Sequence, residues 1–181
     1  MRRITFPQRS GRACARCSLK SNLKTIEEFG DEETRDRRIA EAAIEVLRHD
    51  RDTLGRDHIL MARCRSQTRA ERLFDLYREL APDMAPQLVF SGPGRVRQNR
   101  DALARLKNRG EDSAHIVVCV DMLGEGYDLP NLKVAALHDA HKSLAITLQF
   151  VGRFTRKGNW EQGGEATVVA NIADPETETK L

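Results

Sequence analysis

An α/β fold, with a parallel sheet covered by helices on both faces, is what this sequence predicts, and two features predict it. Five short apolar runs recur along the chain, and amphipathic or charged helical stretches separate them, which is the alternation that a buried parallel sheet requires. Length agrees with this, since 181 residues and 20.5 kDa suit one domain with tails. The apolar fraction of 40% leaves enough material for a sizeable core.

The first helix opens at Asp31, Glu32 and Glu33, and Ile39, Ala43, Val46 and Leu47 repeat at helical spacing through about residue 49. Asp31-Glu32-Glu33-Thr34 looks superficially like a metal-binding acidic box. No apolar strand leads into it, so these acids read as helix capping. Residues 58–63 form a buried strand. Thr68-x-x-Glu71 is expected as a capping box ahead of Leu73, Leu76, Tyr77 and Leu80, and Pro82 ends that helix.

The pattern then repeats. A strand over residues 87–91 leads through the turn Gly92-Pro93-Gly94 into a charged helix over 96–108, closed by Gly110. Strands follow over 115–120 and 133–138, a helix opens at Ser143, and residues 166–172 make the fifth strand. Ligands of such sheets bind beyond the carboxyl ends of the strands.

Charge divides the chain. Residues 1–24 carry seven Lys or Arg and no acid, whereas residues 25–57 carry six bases and eleven acids. The basicity therefore belongs to the amino end. The organisation expected is a basic tail or linker over 1–30, a domain over 31–174 and a short tail over 175–181. An acid-free basic arm can touch phosphates, although charge runs are usually only solvated.

No stretch approaches the roughly 18 apolar residues that cross a bilayer, and no apolar signal core follows Met1, so a cytoplasmic setting is expected. The four cysteines are Cys14, Cys17, Cys64 and Cys119, a poor disulfide framework that favours reduced thiols. Cys14-x-x-Cys17 has no second ligand pair nearby for zinc. His138-Asp139-x-His141 reads as loop polarity rather than a metal site, and Cys64 and Cys119 as small hydrophobes. No metal ligands are expected.

Two constellations carry chemistry. In Gln149-Phe150-Val151-Gly152-Arg153-Phe154-Thr155-Arg156, Gln149, Arg153 and Arg156 fall within roughly 60° of one another on a helix, opposite Leu144, Leu148 and Val151. Two guanidiniums a turn apart invite an anion, and phosphate suits the guanidinium fork. Earlier, the apolar run Val117-Val118-Cys119-Val120 delivers Asp121 to a strand end. Gly124 and Gly126 then allow close backbone approach, and Asp128 sits in a loop fixed by Pro130, where a carboxylate can accept a sugar hydroxyl.

In this order the two constellations resemble motifs V and VI of the second RecA-like lobe of superfamily-two DEAD/DEAH-type helicases, among them excision-repair and restriction-type relatives. Residues 59–63 occupy the place of motif IV, and Ser91-Gly92 with Arg100 that of the intermediate loop and helix. The resemblance implies a three-layer RecA-like sheet and a set of roles. Arg153 and Arg156 match arginine fingers that reach the γ-phosphate of ATP held by a first lobe. Gln149, Gly126 and Asp128 match residues at the nucleotide seam, Asp128 approaching the ribose. Arg63, Ser91, Gly92, Asp121 and Gly124 match positions that meet the nucleic-acid backbone.

Val120 and Glu125 depart from the pattern, where many RNA-dependent members carry a hydroxyl residue and an arginine. This favours DNA over RNA as partner. No Gly-x-x-x-x-Gly-Lys-Ser/Thr occurs in the chain, so ATP and Mg2+ would be bound mainly by a first RecA-like lobe, and this chain should not hydrolyse ATP alone. The alternative is a stand-alone nucleic-acid-binding module, or an inactive remnant, without ATP turnover.

Overall fold

The structure is a computed structural model and describes residues 2–6, 31–108, 110–120, 129, 131–139 and 166–170. Its elements in chain order are β1 (Arg2–Phe6), α1 (Glu32–Arg48), β2 (Ile59–Cys64), α2 (Gln67–Leu80), β3 (Gln87–Val89), α3 (Val96–Lys107), β4 (Ile116–Val120), β5 (Leu132–Leu137) and β6 (Ala166–Ala170). The strands form one sheet in the order β1-β6-β5-β2-β4-β3. From β6 to β3 every pairing is parallel. The expected five parallel strands are present, and their carboxyl ends share one edge.

β1 pairs antiparallel with β6, from Arg2 opposite Ala170 to Phe6 opposite Ala166. The basic tail expected over residues 1–30 therefore contributes an edge strand. This pairing joins segments far apart in sequence, and local periodicity carries no trace of it.

The side chains of β2 alternate between two cores, as strand geometry demands. Leu60, Ala62 and Cys64 share one face with Val118, Ala136 and Val169, under Ile39, Ala43 and Leu47 of α1 and Leu73 and Tyr77 of α2. Ile59 and Met61 share the other face with Val117, Cys119, Ala135 and Val168, against Leu103 and Leu106 of α3. Burial on both faces explains why β2 and β5 read as mainly apolar runs, each broken by one basic residue, Arg63 or Lys133: every residue of each is buried. Cys64 and Cys119 are free thiols packed as small hydrophobes, and burial pushes the Cys64 thiol up to about 12.

Capping is as expected for α1 and shifted for α2. Asp31 accepts a 2.8 Å bond from the Thr34 amide, which holds its carboxyl below the usual range. The cap of α2 is Ser66, whose hydroxyl accepts from the Arg69 amide at 3.4 Å, and not Thr68. Ser66 leaves β2 in an extended conformation, with φ −136° and ψ 153°. The hydroxyl nearest the strand takes the cap, and Thr68 falls inside the helix. β3 ends at Val89, shorter than expected, and the chain later turns through Gly94, whose φ of +73° suits glycine. α1 passes into a π-helical turn over His49–Thr53, which brings Asp50 back over the amino ends of the strands.

Candidate functional site

Of the residues expected at the site, Arg63, Ser91 and Gly92 are described. Asp121, Gly124, Gly126, Asp128, Gln149, Arg153 and Arg156 lie outside the described residues, as do Cys14, Cys17 and His141. Asp121 directly follows β4, which ends at Val120 on the carboxyl edge.

Ser91 and Gly92 sit just past β3 and join Arg100 in one cavity of about 630 Å³, where Asn99, Leu103 and Lys107 also line the wall. The Asn99 amide donates to the Phe90 carbonyl at 2.9 Å, fastening the loop to α3. The Arg95 guanidinium lies 4.0 Å from the Phe90 ring centre, a cation–π contact, and donates to Gln98 at 3.0 Å. The result is a shallow basic groove with an apolar floor, in which Arg100 and Lys107 stand about two helical turns apart. Gly92 itself is not sterically demanded: a Cβ there would meet Arg95 Cγ at 3.6 Å, an ordinary contact.

Arg63 differs from this exposed pair. It lies in β2 between Cys119 of β4 and Leu137 of β5, and only 4% of it is exposed. It stands behind the edge rather than on its surface.

A polar network unforeseen from the sequence closes the carboxyl ends of β2 and β5. His138 continues the ladder, its amide donating to the Arg63 carbonyl at 3.1 Å. Its ring is enclosed, with Nδ1 at 2.9 Å from Asp36 Oδ1 and Nε2 at 3.1 Å from the Tyr77 hydroxyl. Both ring nitrogens are thus engaged within the fold, so His138 is a buried structural group rather than loop polarity. Arg69 of α2 donates to both oxygens of Asp36 at 2.9 and 3.0 Å and to the His138 carbonyl at 3.1 Å. It also meets Asp139 at 3.3 Å and Glu32. Asp139 in turn accepts from the Arg65 amide at 2.8 Å.

Burial lowers the Arg69 pKa, opposed by the Asp139 charge, and burial raises Tyr77 well above its usual value. Three carboxylates around one guanidinium compensate its desolvation. A signal for this network was available, since Asp36 falls on the Ile39, Ala40, Ala43 and Leu47 stripe that faces the core.

A second polar set lies at the opposite edge. His58 Nδ1 is 2.8 Å from Asp50, and Arg51 bridges Asp57 at 2.7 Å and His115 at 3.2 Å. It ties the π turn to the amino ends of β2 and β4. Among the described residues, no group of three or more His, Cys, Asp or Glu could hold a metal ion, and no helix is long and apolar enough to cross a membrane.

No curated protein sequence matches this chain. The helicase conserved C-terminal domain matches it over residues 40–158, well over half its length. Domain 2 of the DEAD-box helicase Mss116p, bound to an RNA duplex, is similar with a TM-score of 0.56 at 15% identity, covering 81% of this chain and 55% of that one. A putative HsdR subunit of a type I restriction enzyme from Vibrio vulnificus YJ016 is similar with a TM-score of 0.60 at 18% identity, covering 86% and 30%. The E. coli DEAD-box protein SrmB, bound to regulator of ribonuclease activity A, gives 0.55 at 19% identity, covering 78% of each chain. This chain thus spans about half of the first of these structures and under a third of the second. At such identities the likeness concerns the fold, and the domain match supplies the family. The chain belongs to the helicase conserved C-terminal domain family and has the fold of the second RecA-like lobe of superfamily-two helicases.

Proposed function

We propose that this chain is the C-terminal motor lobe of an ATP-dependent DNA helicase or translocase and works with a first lobe that it does not itself contain. The observation that carries this reading is the domain match, because residues 40–158 include the whole Gln149 to Arg156 string and the Asp121 to Asp128 loop. Support also comes from the parallel sheet, whose carboxyl edge is where α/β proteins take their ligands.

In this reading a first lobe holds ATP with Mg2+, whose γ-phosphoryl group is transferred to water. Arg153 and Arg156 neutralise charge on that group, while Gln149, Gly126 and Asp128 contact the nucleotide from this side of the seam. Arginine fingers contribute about 10³ to 10⁵ in rate, on the order of 4 to 7 kcal/mol of barrier. Ser91, Gly92, Asp121 and Gly124 meet the nucleic-acid backbone, with Arg100 and Lys107 extending the basic surface and Arg63 behind it. Such contacts position the lobe without reading bases. DNA is favoured by Val120 and Glu125, which stand where RNA-dependent members commonly carry a hydroxyl residue and an arginine.

The test is Arg156→Ala in a protein carrying both lobes. Nucleic-acid-stimulated ATP hydrolysis should fall by about 10³-fold or more with folding unchanged, and unaltered turnover would overturn the assignment. The rival reading, a binding module that relies on its basic arm, requires that neutralising Arg9, Arg12, Arg16, Lys20 and Lys24 to Gln, which spares β1, abolish nucleic-acid binding in a gel shift.

A further inference from the structure

We propose that the clamp formed by Asp36, Arg69 and Asp139 is a positioning device for the arginine-bearing segment 141–156, an inference that rests on the function proposed above. Asp139 is the second residue past β5, and Gln149 follows it by ten positions. In sequence, the phosphate-seeking residues therefore follow shortly after the point where β5 ends. Two consecutive residues are fastened there from three directions: His138 by Asp36 of α1 and Tyr77 of α2, and Asp139 by Arg69 of α2 and the Arg65 amide of the β2–α2 turn. The His138 side chain is fully enclosed, and those of Arg69, Asp36 and Asp139 are 12%, 12% and 8% exposed.

Such a concentration of buried charge exceeds what ending a strand requires. At the amino edge, one carboxylate serves His58 and one serves Arg51. At the carboxyl edge, Arg69 alone gathers the enclosed Asp36 and Asp139, with the exposed Glu32 beside them. A fork held by several acceptors has one orientation, and it fixes the direction of the backbone carrying those acceptors. Phosphoryl transfer depends on placement, and a displacement of about 1 Å can cost on the order of 100-fold in rate. Asp36, Arg69 and Asp139 act through the segment they anchor, so they are positioning residues and not catalytic ones.

The experiment pairs Asp139→Asn with Asp50→Asn, which weakens a buried carboxylate contact at the opposite edge. Amide hydrogen exchange is followed in this chain, at a temperature where both variants are folded, and steady-state ATP hydrolysis is followed in a protein carrying both lobes. Asp139→Asn is expected to speed exchange across residues 141–156 by about tenfold or more. It should also lower kcat by about tenfold or more while nucleotide KM stays within about twofold. Asp50→Asn should lower thermal stability and leave exchange in 141–156 and kcat unchanged.

Equal exchange in the two variants, or no change in either, overturns the inference. So does unchanged kcat in Asp139→Asn while Arg156→Ala abolishes turnover, a result that leaves the proposed function standing. Full turnover in Arg156→Ala refutes that function instead, and the positioning role with it. If Asp139→Asn does not fold, Arg69→Lys takes its place, because it keeps the charge and loses the fork. It carries the same expected and refuting results.

Discussion

Replacing Asp36 with alanine tests whether the carboxyl-edge network holds the fold together. Asp36 accepts two hydrogen bonds from Arg69 at 2.9 and 3.0 Å and faces His138 Nδ1 at 2.9 Å. Its side chain and that of Arg69 are each 12% exposed, so solvent screens the pair little. Removing one partner of a buried ion pair costs about 3–5 kcal/mol when the remaining charge is left uncompensated; Arg69 keeps Asp139 and Glu32, so the loss falls at the low end, about 3 kcal/mol. For a chain of this length, each kcal/mol lowers Tm by about 2–4 °C, which gives a fall of about 6–12 °C. The assay is urea and thermal unfolding followed by circular dichroism, with the urea slope compared to show that both proteins unfold from the same state. A loss below about 1 kcal/mol, the ceiling of an exposed pair, would refute the description of this network as buried and cooperative.

Three further outcomes are expected. With iodoacetamide at pH 8, Cys64 in the native protein should be modified no faster than the chain opens, because burial pushes its thiol up to about 12; rapid native labelling by peptide mass spectrometry would contradict this. The stability that Cys64 contributes is complete below the ordinary thiol range near pH 8.5 and declines as pH rises toward about 12. Asp31 has a lowered folded pKa, so its capping stabilises α1 above the ordinary aspartate range near pH 4 and is lost as pH falls through the folded value. The stability gap between wild type and Asp31→Ala should close on acidification, and a gap constant down to pH 2 would rule out carboxylate capping. Finally, Arg100→Ala combined with Lys107→Ala should reduce the salt dependence of nucleic-acid binding by about 1.4–1.8 in log–log slope, whereas an unchanged slope would remove the α3 groove from the interface.

The fold was legible where burial imposes a strong pattern. β2 and β5 are enclosed on both faces, so their apolar runs stood out despite Arg63 and Lys133, and α1 declared itself through its inward stripe. β1 was hidden because Arg2 and Arg3 read as part of a basic tail and its partner β6 lies at the other end of the chain. The α2 cap was displaced by two residues because two hydroxyls competed, and the one nearest the strand won.

At the site, Ser91, Gly92 and Arg100, adjacent in the sequence reading as a loop and its helix, line one groove. Gly94, however, is the glycine of that loop whose backbone needs a positive φ. The clamp was missed because Asp36, Arg69 and Asp139 are ordinary surface types in sequence, and only the tertiary fold brings α1, α2 and the end of β5 together. Asp36 on an apolar stripe was the one local sign of a buried partner.

The most direct measurement of the central claim compares, in a protein carrying both lobes, the affinities for ADP and for ADP with aluminium fluoride, which mimics the transferring phosphoryl group. If Arg156 acts on that group, wild type binds the mimic more tightly than ADP. Arg156→Ala then erases the preference while ADP affinity stays within about twofold, since only transition-state interactions are lost. The same preference in wild type and variant would show that this arginine plays no part in the chemistry.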